Sequence, residues 1–338
     1  MINEISLAKI LESKNLEKNN KDFEEYKSEN QKCSFPDLKD SKSEQTENHI
    51  QKKFILLPFY FGGKPLPDEK SPRWGMTFLS AGTMRFRWNE KNDNRDKIFE
   101  EILESKNSKD KKIVPIELIH SKIVVEAKKF GDTKNVQADG IVTKNRNLIP
   151  AVTVADCVPI FLYDTKTGAF GAFHSGWKGT GIAENGVKKM AELYGSKPED
   201  ICAAIGPHIQ NCCYNIDEER AKYFIENFGK DCVSEIFVSE TKVSKSGLSR
   251  KNSGNQEKKF PYALSLTQAN LFVLKKAGIY EENIVVAKDC TCCTKFSNGK
   301  NVFGSFRREA ASLPSKILKN LKKDELSRKM TVQAAFVI

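Results

Sequence analysis

Ala151 to Thr180 reads AVTVADCVPIFLYDTKTGAFGAFHSGWKGT, and the alternation of apolar runs with short polar breaks within it decides the fold. Ala151–Val154, Val158–Tyr163 and Ala169–Phe173 are rich in β-branched and aromatic residues, which reads as three successive strands. Asp156-Cys157 breaks the first pair and Asp164–Gly168 turns the chain between the second. The loop His174-Ser-Gly-Trp-Lys-Gly179 then leads into a helix from about Thr180. Cys157 and His174 therefore stand at strand ends, where a rigid frame holds reactive groups open to a ligand, and the helix N-terminus beside them favours an anion.

Outward from this stretch the same texture continues. Lys53–Phe61 and Arg73–Ser80 read as strands, Asn94–Leu103 has the period of an amphipathic helix, and Ile113–His120 and Lys122–Ala127 are apolar and β-branched. Downstream, Gly181–Leu193, Asp217–Phe228 and Leu264–Ala277 read as helices, and Ile201–Ile205, Ile284–Ala287 and Thr331–Ile338 as strands. Strands and helices alternate without a clean βαβ period. That predicts an α/β (α+β) fold in which mixed sheets are covered by helices, not a doubly wound parallel sheet. Glu240–Lys259 is polar throughout and reads as a flexible surface loop.

With 338 residues and 39% hydrophobic content the chain has material for a real core. It contains no apolar run of about 18 residues, and its first twenty residues lack the apolar centre of a secretory signal. The expectation is a soluble cytoplasmic protein with no membrane partner. The net charge of +11 is carried by 45 Lys against 10 Arg, spread along the chain. Nucleic acid is not expected as a partner, whereas a basic body suits an anionic small substrate. Residues 1–51 are rich in Lys, Glu, Asn and Ser and poor in aromatics, so they are expected to be a disordered extension, with one catalytic domain over 52–338. The nine cysteines form an odd set with vicinal pairs, which reads as reduced thiols and not as a disulfide framework.

Imidazole and thiolate ligands suit Zn²⁺, and three protein ligands leave a position for water or substrate. His120, Cys157 and His174 are the candidate set. His208 is expected near such a site but not as a ligand. The same residues also allow a metal-free hydrolase dyad, with Cys157 as nucleophile and His174 as base, or a plain buried thiol at Cys157. Asp139 and Asp156 are candidates to orient the imidazoles or to act as bases. Cys290-Thr-Cys292-Cys293 reads as lacking the paired spacing of a zinc knuckle, so no second metal is expected there.

Five segments in order, Gln137-Ala-Asp-Gly-Ile-Val-Thr143, Thr153-Val-Ala-Asp-Cys-Val-Pro159, His174-Ser-Gly-Trp-Lys-Gly179, Ile205-Gly-Pro207 and Ser305-Phe-Arg-Arg308, resemble the motifs of the YfiH-type laccase-domain family. That family also goes under the names polyphenol oxidase and peptidoglycan editing factor. The likeness covers about residues 110–310. It implies a four-layer α/β/β/α sandwich and metal ligands that fall on His120, Cys157 and His174. It further implies activity on purine nucleosides: phosphorolysis with phosphate, deamination of adenosine and phosphorolysis of methylthioadenosine. In that reading Cys157, His174 and Asp156 are catalytic, Trp177, Lys178 and Arg307 bind substrate, with Arg308 as a further anion candidate, and the cofactor is Zn²⁺, with Cu²⁺ also able to bind.

Competing implications accompany the same likeness. A copper-dependent polyphenol oxidase needs many imidazoles, and the expected folded body has three, since His49 falls in the extension. A cell-wall editing role leaves the metal structural. Cytidine-type zinc deaminases carry a glutamate in H-x-E, but His174 is followed by Ser175-Gly176, so a deamination base must come from elsewhere, with Asp156 as the candidate relay. Leu79–Met84 and Phe86–Asn89 stand where the family has Thr-Thr-Arg-x-Gly-Gly and a following Asn-Leu segment, so the expected arginine is either missing or displaced to Arg85 or Arg87. Glu117–His120 replaces Gln-Val-His and keeps the histidine.

Overall fold

The apolar stretches pair into two main sheets stacked face to face, beside a small three-stranded and a two-stranded sheet. In the computed structural model, residues 1–13, 52–69, 71–86, 90–236, 260–314, 317, 320–321 and 323–338 are described. One sheet has seven strands in the order Asn3–Ile5, Ile284–Ala287, Ile201–Ile205, Val158–Asp164, Phe170–Ser175, Gly140–Thr143, Val124–Glu126. The other has five, in the order Phe54–Pro58, Arg73–Thr77, Gln333–Val337, Leu148–Val154, Lys112–Pro115. Val158–Asp164 pairs antiparallel on both sides, while Ile201–Ile205 pairs parallel with Ile284–Ala287. The sheets are mixed, as the absence of a βαβ period predicts.

Every residue of Val158–Asp164 is buried because both faces of its sheet are covered. Side chains alternate across a strand. Phe161 and Tyr163 point into the layer between the sheets with Trp74, Met76, Val152 and Val337, whereas Ile160 and Leu162 face the helices Ile182–Tyr194, Glu218–Phe228 and Leu266–Lys276. Trp74 stacks on Phe161 with ring centroids 5.4 Å apart. On the far side of the five-stranded sheet, Ile98, Phe99 and Ile102 of the helix Asp93–Glu104 pack on Ala334 and Phe336. The layers are helices, sheet, sheet, helix in one domain, which is the expected α/β/β/α sandwich.

Local chemistry sets the helix boundaries. Asn92, Asp217 and Ser265 each accept a hydrogen bond from the backbone N–H three residues on, at 2.9, 2.9 and 3.2 Å, satisfying an orphan donor of the first turn. Gly186 lets its helix close on the seven-stranded sheet, since a Cβ there would stand 2.6 Å from the Phe173 ring.

The expectation of a disordered polar extension fails at its start. Asn3–Ile5 forms the edge strand of the seven-stranded sheet, parallel to Ile284–Ala287, and residues 7–13 are helical with Leu7, Ala8 and Leu11 buried. The two apolar leucines and the alanine share one face at i, i+1, i+4 spacing, enough to dock a single turn. The Asp289 carboxylate completes the anchor by accepting from Leu7 N at 2.7 Å and Ser6 Oγ at 2.9 Å. Residues 14–51 and the expected loop at Glu240–Lys259 lie outside the described residues.

Candidate metal centre

Asp139 is the fixed point of the site. It is fully buried at the start of the strand Gly140–Thr143, and each carboxylate oxygen is used twice or more. Oδ1 accepts from His120 N at 3.0 Å and faces His174 Nδ1 at 2.8 Å. Oδ2 accepts from Ser121 N at 2.6 Å and Ser121 Oγ at 2.7 Å. One carboxylate thus orients the His174 ring, leaving Nε2 toward the cavity, and also pins the loop that carries His120. That loop is strained, with His120 at φ +60°, a conformation that persists only where neighbours over-determine it.

Cys157 lies in the corner where the chain leaves Leu148–Val154 in one sheet and enters Val158–Asp164 in the other. Asp156, before it, sits at φ +80°. Its Oδ1 accepts from Thr291 Oγ1 and its Oδ2 from Arg307 N, both at 2.7 Å, so two distant loops hold the corner. Gly176 suits the close approach of the trio: a Cβ there would lie 3.1 Å from His120 Cδ2 and 3.3 Å from Cys157 Sγ, tight enough that either side chain would have to give. Gly179 is equally crowded, with the Ser121 carbonyl 2.9 Å from its Cβ position.

These contacts bring His120, Cys157 and His174 together, their ligand atoms within 4.8 Å of one another and the two imidazoles edge to face. Burial opposes ionisation of the Cys157 thiol, but His174, and then His120, outweigh it and hold its pKa down at about 6. Burial likewise opposes charge on His174, yet Cys157 and Asp139 raise its pKa to about 10. The donor set fits one borderline metal ion: two imidazoles, a thiolate already favoured at neutral pH, a carboxylate behind one imidazole, and an open side. His208 is buried, with Nδ1 on the Gly206 carbonyl at 2.8 Å and Nε2 on Thr267 Oγ1 at 2.9 Å. Burial lowers its pKa to about 4. It is a neutral structural histidine.

The trio forms one wall of a cavity of about 410 Å³, within the size range of small-molecule sites. Trp177, Tyr214, Phe306, Arg85 and Arg307 also line it. Arg220 lies 4.4 Å from the Trp177 ring centroid and Arg307 5.5 Å from that of Tyr214, so cations already cover aromatic faces here. Lys178 departs from expectation: it is exposed, its Nζ lies 5.4 Å from the Trp177 centroid, and it does not line the cavity. Arg308 is committed elsewhere, donating to the carbonyls of Thr291, Cys292 and Phe303. Of the two arginine candidates, Arg85 lines the cavity and its guanidinium donates to the Ser327 carbonyl; Arg87 lies outside the described residues. Tyr214, on a loop, and Arg220 and Phe306, in the first turns of the helices Glu218–Phe228 and Phe306–Ala311, escaped the sequence reading because a single aromatic or basic residue at such a position carries no periodic signal.

A two-sheet α/β/β/α sandwich with an open His–Cys–His centre at its mouth is the class that fold and site define. Residues 84–313 match the family described as multi-copper polyphenol oxidoreductase laccase, and the chain belongs to that family. Two curated relatives are named purine nucleoside phosphorylase YlmD: that of Bacillus subtilis is 35% identical over 173 residues, 51% of this chain and 54% of the relative. That of Geobacillus stearothermophilus is 32% identical over 173 residues, 51% and 55%. The chain spans about half the length of these relatives. The fold matches the crystal structure of the Bacillus licheniformis hypothetical protein YfiH with a TM-score of 0.60 at 23% identity, covering 79% of this chain and 92% of that one. Among the described residues no helix is long and apolar enough to cross a membrane.

Proposed function

We propose that this protein is a zinc-dependent purine nucleoside phosphorylase that also deaminates adenosine and accepts methylthioadenosine. The observation that carries the reading is the convergence of His120, Cys157 and His174 on a largely apolar cavity whose lining also includes Trp177, Tyr214, Arg85 and Arg307. The names of the YlmD relatives supply the substrate class. A bound Zn²⁺ supplies a Lewis acid at that wall.

The chain's own residues divide the remaining work. Asp139 fixes the tautomer and direction of His174 through its 2.8 Å contact with Nδ1. Arg307 places a permanent positive charge in the cavity for the phosphate, which Lys178 does not reach. Trp177 and Tyr214 enclose the purine. Asp156 acts as a positioning residue: both of its oxygens are engaged by Thr291 and Arg307, so it holds the Cys157 corner and is poorly placed to relay protons. Copper oxidase chemistry at several metals is disfavoured, because this centre has two imidazoles and His208 has both ring nitrogens occupied. A single Cu²⁺ fits the same three ligands. The cavity in front of the trio also disfavours a purely structural metal in a cell-wall editing role.

A second reading is favoured by one observation. Without metal, the depressed Cys157 thiol, the elevated His174 and the Asp139 carboxylate behind it form a thiolate nucleophile, an imidazolium that can donate a proton to a leaving group, and an orienting group in series. The two readings part in one experiment, in which protein stripped of metal and protein reloaded with Zn²⁺ are assayed on inosine and adenosine with and without phosphate. The proposal expects phosphate-dependent release of purine base only after reloading. Full turnover in the stripped protein, abolished by alkylation of Cys157, points to the hydrolase.

A further inference from the structure

A second cluster of metal-ligating side chains lies outside this cavity. Cys212 and Cys213, in the loop after the strand Ile201–Ile205, meet Cys290 and Cys293, in the loop after the strand Ile284–Ala287, with all four sulfurs within 4.8 Å of one another. Parallel pairing of those two strands brings the loops together, and a further bridge between His208 and Cys290 continues the pairing beyond them. We propose that Cys212, Cys213, Cys290 and Cys293 hold a second, structural Zn²⁺ that clips these two loops together.

The dimensions favour a single ion. A tetrahedral Zn²⁺ with sulfurs at about 2.3 Å requires sulfur–sulfur edges of about 3.8 Å. Cys212 Sγ stands 3.8 Å from Cys213 Sγ and 3.6 Å from Cys293 Sγ. Both separations far exceed a disulfide bond of about 2.05 Å, and the cluster is too tight for the several irons of an iron–sulfur centre. Four soft thiolates select zinc over harder cations. Cys290 and Cys293 do have C-x-x-C spacing; the intervening Cys292 conceals it in the sequence, so the reading that this segment lacks a paired spacing fails there. The turn is held as a metal knuckle would be, since the Cys290 sulfur accepts from the backbone N–H of Gln210 at 3.4 Å. Such N–H groups offset the net negative charge of four thiolates around one dication. On binding, the thiols release their protons to solvent.

The clip bears directly on the cavity. Thr291, within the knuckle, donates to Asp156 at 2.7 Å, and its N–H donates to the His208 carbonyl at 3.0 Å. Arg308 grips the carbonyls of Thr291 and Cys292, both at 2.9 Å. Ile209 and Tyr214, on the loop that carries Cys212 and Cys213, line the cavity. The second ion would therefore brace the floor of the site without touching substrate.

The test uses the full chain carrying His174→Ala, which weakens the first centre, purified under reducing conditions with Zn²⁺ and read by native mass spectrometry and zinc-edge X-ray absorption. The proposal expects one retained zinc per chain with an all-sulfur shell at about 2.3 Å. Adding the exposed-site changes Cys212→Ser and Cys293→Ser to that chain should remove this ion, while circular dichroism reports whether the fold persists. Absence of zinc in the His174→Ala chain, a shell containing nitrogen, or retention of the ion after both serine changes would overturn the proposal. So would a Cys212–Cys293 disulfide persisting under reduction in place of metal. None of these readings depends on phosphorylase activity, so failure of the catalytic proposal and failure of this one remain distinguishable.

Discussion

Asp139→Asn is the most informative single change, because one buried carboxylate serves both histidines. The amide keeps the shape but turns one acceptor oxygen into an NH₂ group. If nitrogen replaces Oδ1, it faces His120 N and the protonated His174 Nδ1; if it replaces Oδ2, it faces Ser121 N and Oγ. With nitrogen at Oδ1 both contacts are lost, and with nitrogen at Oδ2 those from Ser121 N and Ile119 N are lost while the Ser121 hydroxyl can turn to accept, each lost contact to a charged acceptor being worth about 1.5–3 kcal/mol. The expected destabilisation is roughly 3–5 kcal/mol, in the range for breaking a buried charged pair. The same change loosens the ring that His174 presents to the metal, and loss of such an outer partner costs about 10–100-fold in metal affinity. Urea unfolding measures the first quantity, and competition for Zn²⁺ against a chromophoric chelator measures the second in the folded variant. Wild-type zinc affinity in Asp139→Asn would refute the assignment of Asp139 as the residue that orients the centre.

Other consequences follow from the same geometry. Gly176→Ala inserts a methyl group against His120 and Cys157, so it should cost about 1–3 kcal/mol of stability and weaken zinc binding. Unchanged chelator competition would show that the loop has slack. In protein stripped of metal, alkylation of Cys157 should rise as pH increases through about 6 and fall away below it, since the thiolate is the reactive form. His174→Ala should move that midpoint upward; a midpoint that stays put assigns the low value to another cause. Removal of residues 1–13 deletes an edge strand and the buried Leu7 and Leu11, whose burial contributes about 1.5–3 kcal/mol each. A truncated protein that melts like the full chain would contradict that docking. Arg307→Ala should raise the phosphate KM about tenfold or more, as loss of a charge-assisted contact of about 1.5–3 kcal/mol implies, while Lys178→Ala leaves it within about twofold. Equal effects at the two positions would put the anion outside the cavity.

The central strands were legible because their chemistry is local. Ile201–Ile205 and Ile284–Ala287 have the same bounds in the sequence reading and in the fold, since short apolar β-branched runs between polar breaks have few alternatives. The clustering of His120, Cys157 and His174 was legible only through motif resemblance: the three come from a strained loop, a sheet-to-sheet corner and a strand end, and no spacing rule connects them. Asn3–Ile5 was missed because three residues inside a polar stretch are lost when composition is averaged over the first 51, although Leu7, Ala8 and Leu11 already mark an apolar face. The four-cysteine cluster was hidden in another way, with Cys212 and Cys293 separated by 81 positions and joined only by parallel strand pairing. Lys178 stands outside the cavity lining, a placement the sequence does not reveal because a lysine beside a glycine-bracketed tryptophan reads equally well as a phosphate ligand or as a cation on the ring.

The central claim, that His120, Cys157 and His174 jointly hold the zinc on which purine release depends, is tested most directly by counting metal and turnover in the same samples. Each of His120→Ala, Cys157→Ala and His174→Ala should lose one zinc per chain relative to the unsubstituted protein and lose phosphate-dependent cleavage of inosine with it, since a two-ligand remnant seldom retains Zn²⁺. His120→Ala is the decisive member of the set, because the metal-free Cys–His reading gives that residue no part. If the His120→Ala protein loses its zinc yet cleaves inosine at the rate of the unsubstituted chain, the metal account is contradicted.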